Sequence, residues 1–80
     1  MKDADIDFLR LAAFHAVRNH GIDRDTDNSD SVDDAVHPDV FGDACNSERF
    51  APYEAAEISD VVHEAIADAY WKMVDEANRL

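Results

Sequence analysis

Eighty residues contain one cysteine, two glycines, two prolines and only two lysines. The lone Cys45 cannot close an intrachain disulfide. No apolar run approaches the roughly 18 residues a membrane span needs. With no apolar leader after Met1 the chain reads as cytoplasmic, or as packed inside a virus particle. Cations are too few for a basic patch, which excludes direct binding to nucleic acid and to anionic lipid. There is no β-alternation of useful length and no internal repeat. No catalytic or cofactor motif stands out, so the expectation is a non-enzymatic protein without a cofactor.

What the chain does hold is acid. Fourteen Asp and five Glu face two Lys and five Arg, for a net charge of −12. At 0.1 M salt the Debye length is roughly 10 Å and at 1 M roughly 3 Å, so such a surface repels itself unless salt screens it. The preference for Asp over Glu and the scarcity of lysine (Lys2 and Lys72) resemble proteins of salt-accumulating archaea and their viruses. Adaptation to high salt in a halophilic archaeon or one of its viruses is therefore expected. The alternative is an inhibitor whose carboxylates imitate the phosphate ladder of nucleic acid.

The acid is unevenly placed. In residues 1–22, Lys2, Arg10 and Arg18 balance Asp3, Asp5 and Asp7, whereas residues 23–45 hold eight Asp against Arg24 and residues 46–80 hold eight acids against three cations. A neutral first segment suggests burial or contact, and the acidic remainder suggests water. Length permits one small domain, residues 1–80. Such a chain buries only about 60–65% of its unfolded surface, so oligomerisation or docking into a larger assembly is a natural further support.

The spacing predicts a helix over about 4–20, with Asp3 or Asp5 capping its start and Gly21 ending it. Ile6, Leu9, Ala13, Ala16 and Val17 form its core stripe, but Phe8, Leu11 and Phe14 make the other side apolar as well. A second long helix is predicted over about 52–78, with Pro52 at its first position. Its inward stripe is Ile58, Val62, Ala65, Ile66, Ala69, Met73, Ala77 and Leu80, while Trp71, beside Val74, projects into the acidic face. Between them, 23–37 reads as an acidic loop and Pro38 to Cys45 as a short helix with Val40, Phe41 and Ala44 inward. The predicted fold is all-α, an antiparallel hairpin of two long helices with the acidic segment folded over it.

Asp23, Asp25, Asp27, Ser29, Ser31 and Asp34 fill positions 1, 3, 5, 7, 9 and 12 of a twelve-residue frame. That spacing resembles an EF-hand loop, which implies a helical module taking Ca²⁺, or K⁺, at the loop. Asn28 replaces the usual Gly, and Asp34 is shorter than the usual Glu. Arg10 and His15 share the arginine-to-histidine spacing of helical ribonucleases of the HEPN type, although Leu11 stands where those enzymes carry a polar residue. Glu54, Glu57, Glu64 and Asp68 resemble the acids of helical nucleotide pyrophosphohydrolases, here gathered on one helix. Asp60 and His63 have the spacing of a di-iron pair, but the first helix has no Glu to complete it. His15 and His20, five apart, point about 140° from each other and cannot share an ion. Cys45 reads as a small buried hydrophobe.

Surplus apolar surface is the strongest functional pointer. Two facing helices bury one stripe each, leaving Phe8, Leu11, Phe14, Trp71 and Val74 to be covered by the middle segment or by another protein. The expected function is a protein-interaction or assembly subunit, with a homo-oligomer or a larger assembly as its partner.

Overall fold

A computed structural model describes residues 1–79, and Leu80, expected in the last inward stripe, lies outside them. The protein is all-α. Helix α1 spans Asp3–His20, α2 spans Ser29–Cys45, a 3-10 turn covers Glu48–Phe50, and α3 spans Ala55–Asn78. Among the described residues there is no strand.

Three stripes build the core. Asp5, Leu9, Ala13 and Val17 are buried on α1, each four residues from the last. Val32, Val36, Val40 and Ala44 repeat that spacing on α2. Ile58, Val62, Ala65, Ile66, Ala69 and Tyr70 fill the inward side of α3. Residues four apart lie one above the other on a helix face, so each stripe is a continuous ridge, apolar except for Asp5 at the start of α1. Phe50, 1% exposed, closes one end of the core from the 3-10 turn.

The segment 29–37 is helical, which corrects the expected loop. Asn28 and Ser31 cap each other reciprocally: the Asn28 side chain accepts from the Ser31 N–H, and Ser31 Oγ accepts from the Asn28 N–H. This capping box satisfies two N–H groups that a helix start leaves unpaired. Pro38 then sits inside α2 and deprives the Asp34 carbonyl of its donor. Both residues are exposed. Cys45, expected buried, is exposed. It falls one position past Ala44 and so about 100° round the helix from the inward stripe.

Helix starts differ from expectation at two other points. Lys2, not Asp3 or Asp5, is the N-cap of α1, and no side chain caps it. Pro52 lies in the turn before α3, whose N-cap is Glu54. Gly21 ends α1 as expected, with φ of 75°, a value a side chain would strain.

Candidate functional site

Phe8 is 46% exposed, Leu11 58% and Trp71 60%. Phe8 and Leu11 lie on the outer side of α1. Leu11 is about 160–240° round the helix from Leu9, Ala13 and Val17, which makes it the residue furthest from the core stripe. Phe14 and Val74 are half-buried against the core. Phe14 lies beside Arg10 in a groove between α1 and α3, also lined by Ala65, Asp68, Ala69 and Lys72. Val74 faces Val17, Ile22 and Met73 where the ends of α1 and α3 meet. Trp71 projects from the far side of α3 and meets the ring of Tyr70 edge-on, 5.0 Å between centroids.

Phe8 is held in place by a polar relay. Its inner side leans on Phe50, with centroids 5.8 Å apart. The Arg49 guanidinium sits 4.5 Å above its ring. Arg49 is fixed in turn by Asp5: its Nε donates to the carboxylate at 2.6 Å, and a terminal nitrogen donates to the Ala4 carbonyl at 3.1 Å. The Tyr53 hydroxyl donates to the other Asp5 oxygen at 2.6 Å. A carboxylate so bonded favours its charged form. The Tyr53 hydroxyl bond first, then Arg49, holds the Asp5 carboxyl below its usual range, and the same bond raises the Tyr53 phenol. The relay ties the start of α1 to the turn before α3 and orients Phe8 outward.

The sign of its pH dependence follows. Because the folded pKa of Asp5 is lowered, its stabilisation is fully present above the ordinary carboxylate pKa near 3.8 and is lost as pH falls through the folded value. Asp5→Asn is expected to lower the melting temperature at pH 7 and to flatten its fall below pH 4, as followed by circular dichroism. An unchanged acid limb would remove Asp5 from this role.

Beside Phe8 runs a groove between α1 and α2. Phe8, Ala12, His15 and Ala16 line one wall, and Asp39, Val40, Asp43 and Ala44 the other. It continues past Asn19 toward His20, Ala35 and Val36. Arg10 and His15 therefore fall in different grooves, one on the α3 side of α1 and one on the α2 side.

The acidic turn is organised by its own backbone. Asp23 accepts from the Asp25 N–H at 3.0 Å, and Asp27 accepts from the Asp23 N–H at 2.9 Å and from Ser31 Oγ at 3.2 Å. The Asp23 N–H, ahead of Ser31, holds the Asp27 carboxyl below its usual range. Ser29 and Asp34 belong to α2, so the twelve-residue frame is half turn and half helix. Glu57 lies 3.4 Å from the Met1 amino group. Among the described residues no group of three or more His, Cys, Asp or Glu is placed to hold a metal.

One cluster escaped the sequence. His37 of α2 and His63 of α3 stack face to face with centroids 3.8 Å apart. His63 Nδ1 donates to Asp33 at 2.7 Å, and His37 Nε2 lies 3.1 Å from Ser59 Oγ. Phe41 stacks on His37 as well, with centroids 5.3 Å apart. These residues fasten α2 to α3. The four-residue spacing of Asp33, His37 and Phe41 was the available signal, and it was hidden because the segment did not read as helix.

Among the described residues no helix is long and apolar enough to cross a membrane. Compared with models of known protein families, with characterised proteins and with solved structures, the chain matches none.

Proposed function

We propose that this chain is a protein-interaction or assembly subunit that works in high salt and contacts its partners chiefly through the outer side of α1. The carrying observation is that Phe8 and Leu11 stay 46% and 58% exposed after all three helices have packed. Exposing two large apolar side chains next to each other on one helix is a cost that an interface removes. Phe8 is also oriented by the Asp5–Arg49 relay, and an ordered aromatic loses little freedom on binding. Trp71 offers a second, smaller contact on α3. The acids elsewhere keep the surface hydrated where salt is concentrated, which suits the interior of a halophilic cell or a virus particle made in one.

The test is a photo-crosslinking residue placed at Leu11, and separately at Glu64 on the acidic side of α3, in the chain expressed in its native cell. Protein adducts are expected from position 11 and not from position 64. Equal yields, or none at position 11, would overturn the reading.

A further inference from the structure

The nature of the partner can be read from α1 itself, granted that its outer side is a contact surface as proposed above. Phe8, Leu11, Ala12, His15 and Asn19 recur at the spacing of a single helix face. Bulk is distributed along it unequally. The exposed large apolar side chains, Phe8 and Leu11, fall in the N-terminal half, while Ala12 and Ala16 line the groove against α2 further along. Such a face has knobs at one end and a hollow at the other.

Charge is distributed in the same polar fashion. Asp3 and Asp7 are exposed near the start of α1, and Arg18 and His20 near its end. None of the ion pairs of the described residues involves Asp7 or Arg18. Neither other helix is built this way. Helix α2 contains no Lys or Arg, and the outer side of α3 carries Glu57, Asp60, Glu64, Asp68 and Asp75. Residues 1–22 are also the one neutral stretch in a chain of net charge −12, so two molecules repel least when α1 meets α1, with Asp39 and Asp43 on the other wall of the groove left for salt to screen.

We propose that the occupant of this face is a second copy of the chain, with α1 packed antiparallel on α1 about a two-fold axis near Leu11 and Ala12. An isologous contact needs a self-complementary surface. Antiparallel pairing supplies it: Phe8 of each molecule meets the hollow beside His15 and Ala16 of the other, and Asp7 of each faces Arg18 of the other. Parallel pairing would set acid on acid, base on base and knob on knob. Helix α1 is about 27 Å long, and a contact of that extent falls below about 1,200 Å², in the weak class. The dimer therefore depends on concentration, and salt strengthens it by screening the acidic flanks.

Sedimentation equilibrium of the full chain, in about 2 M KCl at concentrations up to about 1 mM, tests this. A reversible monomer–dimer equilibrium is expected. Arg18→Asp and Asp7→Arg should each weaken it by about threefold, the modest effect of exposed pairs at that salt, and the double variant Asp7→Arg/Arg18→Asp should recover most of the loss. One substitution makes the chain more acidic and the other less, so a shared effect cannot come from net charge. Both positions are exposed, and an unchanged helical circular dichroism spectrum would show that the variants fold. A monomer at every concentration overturns the proposal, as does a dimer that both single variants leave intact or the double variant fails to restore. If the purified chain is monomeric while crosslinks from Leu11 reach a different protein, self-pairing is wrong and the contact surface stands.

Discussion

Phe50→Ala is expected to cost about 3–5 kcal/mol, and to leave most of the protein unfolded in dilute buffer. A single core of this size supplies only about 3–5 kcal/mol in all. Phe50 is 1% exposed and touches the rings of Phe8 and Tyr53, so its removal opens a cavity between α1 and the turn before α3. It also removes the inner support of Phe8 and strands the Asp5–Arg49 relay. Leu11→Ala, by contrast, should change monomer stability by no more than about 0.5 kcal/mol, because its side chain stands in solvent. Urea melts of the two variants separate core from contact surface. A Phe50→Ala chain that melts like the parent would show that the end of the core is not closed as described.

Transfer from about 2 M KCl to about 20 mM should destabilise the monomer by on the order of 4 kcal/mol. A net charge of −12 is held in a body with a radius of gyration of 12.8 Å. The Debye length grows from roughly 2 Å to roughly 20 Å over that change, so charges across the whole molecule begin to repel. Unfolding spreads them apart, which is why the compact state loses more. For a chain of this length the effect corresponds to a drop in melting temperature of roughly 20 °C. A drop below about 5 °C would refute adaptation to high salt, since a surface tuned for screening must depend on it.

The two outer helices were legible in the sequence because their signals are local. The apolar spacing of Leu9, Ala13 and Val17, and of Ile58, Val62, Ala65, Ile66 and Ala69, gives the period and the buried side directly. Of helix α2 only the second half, 38–45, was legible, although Val32, Val36, Val40 and Ala44 keep an unbroken four-residue step through its whole length. Dense acid argued for a loop over 23–37, and Pro38 read as the start of a short helix rather than as an interior position. The cap is an Asn28–Ser31 pair rather than the Ser or Thr with Glu that usually announces a helix start. The all-α class therefore survived, while the middle of the chain proved to be a third helix packed against both of the others. Exposure of Phe8, Leu11 and Trp71 followed from helix geometry alone. Half-burial of Phe14 and Val74 did not, because it depends on how closely α1 and α3 approach each other. Long-range pairs were the least accessible. Nothing near Asp5 in the sequence shows that Arg49 and Tyr53 close on it, and nothing near His63 shows the ring of His37.

Hydroxyl-radical footprinting of Phe8 and Leu11, compared between the native cell extract at its own salt and the purified chain at micromolar concentration, bears most directly on α1 as a contact surface. Several-fold weaker oxidation of both residues is expected in the extract, with Tyr70 unchanged as the buried reference. Equal oxidation in the two settings would mean that nothing covers α1, and the proposed role would fall with it.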